Sequence, residues 1–266
     1  MSLSSHVSTK TERPQVDLNV VLVGAAGVGK SSIINLLAQN DIAPKSSAAD
    51  GCTEICGAYD LDLAPADDTS RAIDATRFVR LWDTPGLTPV VPKPHGHHFQ
   101  PLLDLQPEPV DLILFCIRSG IRDLAPVRVN WEIVRGLIFG TDVPVLIVVT
   151  GLETEEPDME SWWKENESDF EENGIKLSDD CRVVCITAVN SDRHKARCEE
   201  SRKALYNAIT ATTARQGADP RSVDKSVSQR RIKKYLKDYH KGGFEAARAV
   251  LREDKPLFIR LVDLCF

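Results

Sequence analysis

Hydrophobic and polar residues follow two distinct periods along this 266-residue chain. At 55–63 and 76–82 apolar residues tend to occupy every second position, which is typical of two hairpin strands with one solvated face. Continuous apolar runs are typical of strands that are covered on both faces of a parallel sheet. Nearly continuous runs of this kind lie at 110–117 and 143–149. A strand rich in β-branched residues is predicted at 16–23, and a further strand at 182–186. The pattern therefore predicts six strands.

Helical patterns separate these strands. Apolar residues recur at helical spacing after the first strand, at 125–139 and at 194–213, and an acidic surface helix is predicted at 158–170. Strands that alternate with helices predict an α/β fold, with a mostly parallel six-stranded sheet and helices on both faces. In such folds, ligands bind beyond the carboxyl ends of the strands.

The last part of the chain differs in charge from the rest. Residues 221–266 contain twelve Lys or Arg and six Asp or Glu, although the whole chain has a net charge of −6. Apolar residues share one face at helical spacing, before a break at Gly242 and Gly243; they are Ile232, Tyr235, Leu236 and Tyr239. This stripe predicts either helices packed back on the main domain or a surface for a partner or an anionic membrane. We expect a disordered N-terminal tail at 1–16, a main domain at 17–215 and a basic helical C-terminal extension at 216–266.

Composition narrows the class of protein. The chain is 42% hydrophobic and 27% charged, which is ordinary for a globular domain. The acidic net charge argues against nucleic acid as the partner. No apolar run reaches the roughly 18 to 20 residues of a membrane span, and residues 1–10 lack the apolar segment of a signal peptide. We therefore expect a cytoplasmic protein with reduced cysteines.

A glycine-rich segment between the first strand and the first helix carries the strongest chemical signal. The stretch Gly24-Ala-Ala-Gly-Val-Gly-Lys30-Ser31 matches G-x-x-x-x-G-K-[ST] completely. Its backbone N–H groups and the helix N-terminus suit phosphate groups, Lys30 suits the β- and γ-phosphates, and the Ser31 hydroxyl suits Mg²⁺. The predicted phosphate-binding residues are Ala26, Gly27, Val28, Gly29, Lys30, Ser31 and Ser32.

A second motif follows the third predicted strand. Asp83-Thr84-Pro85-Gly86 places a carboxylate at the end of that strand, where it would hold Mg²⁺ through a coordinated water, and a glycine whose N–H suits a γ-phosphate. With these two motifs, residues 17–213 resemble the P-loop GTPases with a D-x-x-G box, especially Era-like, septin-like and plant-immunity-associated members. The resemblance implies a three-layer P-loop fold, GTP or GDP as ligand, and Mg²⁺.

The same resemblance implies a switch threonine between the two motifs. Thr53 fits this role, since it precedes the second strand, and its hydroxyl would complete the Mg²⁺ shell; Thr69 and Thr76 are alternatives. The position of the water-orienting Gln found in Ras-like members is occupied by Leu87, so slow hydrolysis is expected. Three histidines downstream either supply a water-positioning group or lie solvated in a Pro-rich loop; they are His95, His97 and His98.

Recognition of guanine would fall to two variant boxes. After the strand at 143–149, Thr150-Gly151-Leu152-Glu153 stands where such GTPases have Asn-Lys-x-Asp, so Glu153 would accept hydrogen bonds from guanine. Thr150 would keep part of the link that the Asn makes to the phosphate loop, and Gly151 lacks the Lys stem that covers the base. The turn Thr187-Ala188-Val189 is similar to the S-A-K box. The alternative for Glu153 is a solvated acidic loop.

Together these motifs predict a GTP-binding switch that hydrolyses GTP slowly, with Lys30, Thr53 and Gly86 at the reacting phosphate and with Ser31, Thr53 and Asp83 around Mg²⁺. A protein effector, or self-association through the switch loops or the C-terminal helices, is expected. Two alternatives stay open: an ATP-using P-loop enzyme, and a nucleotide-binding scaffold without turnover.

Overall fold

The computed structural model describes residues 16–44, 56–63, 77–87, 100–105, 110–139, 143–175, 181–189, 192–213 and 225–252. These residues form one six-stranded sheet in the order β2-β3-β1-β4-β5-β6. The strands are β1 Leu18–Gly24, β2 Gly57–Leu63, β3 Arg77–Asp83, β4 Leu112–Arg118, β5 Val145–Thr150 and β6 Arg182–Cys185.

The sheet is parallel except at one edge. β2 pairs antiparallel with β3, and every other neighbouring pair is parallel. This arrangement confirms the predicted hairpin and the predicted central strands. Because β1, β3, β4, β5 and β6 run in the same direction, their carboxyl ends meet at one edge of the sheet, where α/β folds bind ligands.

The helices cover both faces of this sheet. They are α1 Lys30–Ala38, α2 Gln100–Asp104, α3 Ala125–Ile133, α4 Glu160–Glu172, α5 Lys195–Thr213 and α6 Lys225–Arg252. α3 continues as a π-helical turn at Val134–Ile138, and a 3₁₀ turn at Asp192–His194 precedes α5.

Alternate residues of each central strand point to opposite faces and so fill two cores. In β1, Val21 and Val23 face the core beneath α2, α3, α4 and α6, whereas Val20 and Leu22 face the core beneath α1 and α5. Every residue of β5 is buried, which is why its sequence lacks polar alternation. The three-layer prediction is therefore confirmed.

The C-terminal helix α6 packs against the main domain. Ile232 and Tyr235 are buried in the core beside α3, and the Tyr235 hydroxyl donates a hydrogen bond to the buried Glu132 carboxylate. Burial, reinforced by that carboxylate, raises the pKa of Tyr235. Burying a side chain such as Ile232 stabilises a fold by about 1.5 to 3 kcal/mol. The described part of the apolar stripe is thus used for packing.

The predicted break in this helix is present. Gly242 and Gly243 have non-helical backbone angles, and the φ of Gly243 is 71°. Beyond the break, Ala247 and Val250 are again buried in the same core. In the part of the chain that the structure describes, no helix is long and apolar enough to cross a membrane.

Candidate nucleotide-binding site

The phosphate motif lies at the carboxyl edge of the sheet, between the end of β1 and the start of α1. Gly27 and Gly29 adopt φ values of 74° and 95°, which residues with a side chain rarely adopt, so the backbone can curve tightly into α1. Lys30 is buried, and its ammonium donates hydrogen bonds to the carbonyls of Gly24 and Ala25 at 3.3 and 3.0 Å. Burial lowers the pKa of Lys30. The nearby Asp83 carboxylate acts in the opposite direction and raises it in part. A bound anion would favour the charged ammonium in the same way, so the site suits an anion.

Two of the three predicted Mg²⁺ residues lie next to each other. The Ser31 hydroxyl donates a hydrogen bond of 2.6 Å to Oδ2 of Asp83, at the end of β3. Asp83 is 1% exposed and Ser31 is half-buried. A hydroxyl and a carboxylate are oxygen ligands of the kind that Mg²⁺ prefers. The donor set therefore fits a magnesium ion held between α1 and β3.

Gly86 lies against the phosphate loop. A Cβ at this position would approach the backbone N and Cα of Ala26 to 2.6 Å, which no side chain can do without displacing the loop. Thr84 is buried and donates a hydrogen bond of 2.6 Å to the Leu22 carbonyl, so it fixes the segment to β1. The two motifs therefore share one surface.

Leu87 is turned into the core. Its side chain is 1% exposed, and its N–H donates a hydrogen bond of 2.9 Å to the Gly24 carbonyl. A buried aliphatic side chain neither orients nor deprotonates water. Thr53, the alternatives Thr69 and Thr76, and the three histidines His95, His97 and His98 lie outside the described residues.

The loop after β5 is tied directly to the phosphate loop. The Thr150 hydroxyl lies 2.7 Å from the Val28 carbonyl and 3.2 Å from the Ile117 carbonyl. Val28 has its side chain in the core, so only its backbone faces this side. Thr150 thus links the loop after β5 to the phosphate loop.

The two variant boxes meet at the same edge. The Thr187 hydroxyl donates a hydrogen bond to Oε2 of Glu153 at 3.3 Å. Thr187 is buried at the end of β6, while Glu153 is half-buried. The Val189 N–H also lies 3.3 Å from the Thr187 hydroxyl, so the turn is closed by its own side chain. Glu153 is therefore held beside the turn Thr187-Ala188-Val189 instead of extending freely into solvent.

Two residues of α5 that no sequence motif identifies hold these boxes in place. Arg197 donates hydrogen bonds to the carbonyls of Leu152 and Glu155 at 3.3 and 2.6 Å. The buried Ser201 hydroxyl accepts a hydrogen bond of 2.9 Å from the Thr187 N–H. Their spacing of four residues places both on one helix face, which is the only signal that the sequence offers for them.

A cleft beside the turn Thr187-Ala188-Val189 has the size of a ligand site. Its volume is about 430 Å³, and it runs between α1 and α5. Ser32 and Ala188, both predicted site residues, contribute to its wall together with Lys195, Cys198 and Arg202. Desolvation, together with the nearby Glu153 carboxylate, raises the pKa of the Cys198 thiol, so this thiol is held in its neutral form.

Comparison with solved structures shows where this fold has been seen before. Toc33 from Arabidopsis thaliana in complex with Mg²⁺ and GMPPNP is 18% identical, with a TM-score of 0.51, over 73% of this chain and 85% of that chain. Era from Aquifex aeolicus bound to GDP·AlF4⁻ is 17% identical, with a TM-score of 0.51, over 78% of this chain and 59% of that chain. At these identities the likeness shows a shared fold.

The sequence matches a protein family, although it matches no individual curated protein. The family described as 50S ribosome-binding GTPase matches residues 19–151. This range is half of the 266 residues and includes the phosphate loop, Asp83, Gly86 and Thr150. The chain therefore belongs to this family of GTPases.

Proposed function

We propose that this protein binds GTP with Mg²⁺, hydrolyses it slowly, and acts as a nucleotide-dependent switch. The observation that carries the proposal is the bond between Thr150 and the Val28 carbonyl. It connects the loop that would read the base to the loop that would hold the phosphates, so the two form one continuous site. In this site the phosphates lie on the backbone from Gly27 to Ser31, with Lys30 on the β- and γ-phosphates.

Glu153 would read the guanine edge. Its carboxylate would accept hydrogen bonds from the N1–H and the exocyclic amine, which adenine does not present in that arrangement. The Thr187 hydroxyl steadies this carboxylate. The Ala188 N–H would meet the guanine carbonyl oxygen, while the Val189 N–H is bonded to the Thr187 hydroxyl. An adenine nucleotide would leave the Glu153 carboxylate without its donors, at a cost in affinity.

Ser31 would bind Mg²⁺ directly and Asp83 through a coordinated water, with Thr53 completing the shell. The ion would neutralise charge that develops on the transferred phosphoryl group. Gly86 would place its N–H at the γ-phosphate, and Ala26, which it touches, would line the same space. Loss of the γ-phosphate would release the segments around Thr53 and Gly86, which would change the surface presented to a partner.

Slow hydrolysis is proposed because Leu87 is buried where a water-orienting side chain would stand. A partner would then be needed to reach a high rate. Dimerisation is important for the GTPase activity of the chloroplast translocon components atToc33 and psToc159. We propose that this chain likewise meets a protein effector or a second copy through its switch segments. A cytoplasmic location stays a prediction.

The proposed function is tested by titration calorimetry of the purified chain with GDP, GTP, ADP and ATP in the presence of Mg²⁺. We expect guanine nucleotides to bind at least a hundredfold more tightly than adenine nucleotides, about 2.7 kcal/mol. Equal affinities, or a preference for adenine, would contradict the guanine assignment and indicate an ATP-using enzyme. Multiple-turnover release of phosphate from GTP tests hydrolysis, and its absence would indicate a binding scaffold.

A further inference from the structure

The loop after β5 lacks a side chain at the position where the related box has lysine. Gly151 stands there, with a φ of 81° that strains any other residue. A Cβ at Gly151 would lie only 3.1 Å from the Ser119 hydroxyl. Ser119 also donates hydrogen bonds to the carbonyls of Thr150 and Gly151, at 2.8 and 2.7 Å, which fixes this backbone. The chain therefore cannot restore the lysine at position 151 without strain.

The space beside Gly151 is occupied by Arg118. This arginine is the last residue of β4, and it pairs in register with Thr150 of the neighbouring strand β5. Its Cγ and Nε atoms lie 3.4 Å from the point where a Cβ of Gly151 would stand. The aliphatic stem of Arg118 thus runs alongside the loop where a lysine stem would otherwise begin.

The guanidinium of Arg118 reaches the phosphate loop. Its Nη1 donates a hydrogen bond of 3.3 Å to the Gly27 carbonyl, although the side chain as a whole is exposed. The arginine therefore spans from the base-reading loop to the phosphate loop, over the edge of the sheet. The buried Thr150 hydroxyl joins the same two loops, through its hydrogen bond to the neighbouring Val28 carbonyl.

We propose that Arg118 covers one face of the bound purine base and replaces, from a different strand, the lysine that Gly151 lacks. The inference rests on the proposed function, because it assigns a role within the same nucleotide site. A planar guanidinium suits this role, since it stacks on aromatic faces and stays charged. Stacking acts on the face of the base, whereas Glu153 acts on its edge. Arg118 therefore contributes affinity for the base, and Glu153 contributes selectivity.

The test compares two ligands that differ in the base: GDP, and pyrophosphate, which has phosphates alone. Arg118→Ala is expected to weaken GDP binding about tenfold and to leave pyrophosphate binding unchanged within twofold. Arg118→Lys, which keeps an aliphatic stem and a positive charge, should recover most of the lost affinity. Arg230→Ala, at an exposed arginine of α6, is the control and should change neither affinity. Thermal unfolding of each variant verifies the fold.

Three results would overturn the proposal. One is unchanged GDP affinity in folded Arg118→Ala. Another is an equal loss for GDP and pyrophosphate, which would mean that Arg118 acts only through the phosphate loop. A third is a loss that Arg118→Lys does not recover at all. Failure of the proposed function is seen separately, because the wild-type chain itself would then show no preference for GDP over ADP.

Discussion

The phosphate half and the base half of the proposed nucleotide site are built in different ways. The phosphate half consists mainly of one continuous segment, Gly24 to Ser31, joined by Asp83 and Gly86 at the end of the neighbouring strand. The base half is assembled from side chains on separate elements. They are Arg118 of β4, Thr150 of β5, Glu153 of the following loop, the Thr187 turn after β6, and Arg197 and Ser201 of α5.

The difference has a chemical origin. A phosphate group is bound by backbone N–H groups, which require a particular chain path and hence glycines at fixed spacing. A base is bound on its edge and its faces by side chains, and any element that reaches the position will serve. The phosphate half therefore tolerates little change in sequence, whereas the base half can exchange one contributing residue for another from a neighbouring strand.

The largest expected effect is in the phosphate half. Lys30→Ala should weaken GDP and GTP binding at least a hundredfold, about 2.7 kcal/mol, because it removes the buried ammonium beside the phosphates. Lys164→Ala, at an exposed lysine of α4, is the matched control and should bind like wild type. Calorimetry measures both. Tight binding by Lys30→Ala would show that the phosphates bind elsewhere.

A smaller effect is expected when the carboxylate proposed to read guanine is removed. Glu153→Ala should lower the preference for GTP over ATP at least tenfold, about 1.4 kcal/mol, because it deletes the acceptor for the guanine edge. Competition binding with labelled GDP gives both affinities. Glu165→Ala, at an exposed glutamate of α4, should leave the preference intact. An unaltered preference in Glu153→Ala would assign base recognition to another group.

The link between the halves should matter less. Thr150→Val keeps the side-chain shape but removes the hydroxyl that bonds Val28 and Ile117, so we expect a loss of about 1 kcal/mol in folding stability or GDP affinity. Urea unfolding and calorimetry measure the two quantities. Thr210→Val, whose hydroxyl bonds the Tyr206 and Asn207 carbonyls of its own helix, is the control. If Thr150→Val matches wild type in both, the halves are not coupled through this bond.

The smallest expected effect concerns hydrolysis. His97→Ala and His98→Ala should leave the single-turnover rate of GTP hydrolysis unchanged, since we expect these histidines to be solvated. Rapid-quench measurement of phosphate release provides the rate. A tenfold loss in either variant, about 1.4 kcal/mol of barrier, would instead assign that histidine to positioning of the attacking water.

Sequence alone predicts the fold and the phosphate half because both depend on local pattern. Apolar runs of strand length define β1, β4 and β5, and glycines at fixed spacing before Lys30 and Ser31 define the phosphate loop. Less of the base half can be predicted from the sequence. Glu153 and the Thr187 turn are predicted by their order along the chain, and both lie beyond the residues that match the family. Arg118, Arg197 and Ser201 are visible only once strand register and helix packing bring them to the site.

The central claim, that the Glu153 carboxylate reads the guanine edge, is tested most directly by changing the protein and the base together. Xanthine carries a carbonyl where guanine carries its amine, and a glutamine amide would accept from N1–H and donate to that carbonyl. Calorimetry of wild type and Glu153→Gln with GDP and XDP is the measurement. We predict that wild type prefers GDP and that Glu153→Gln prefers XDP. The same preference for GDP in both proteins would contradict the account, because the residue at position 153 would then not contact the base.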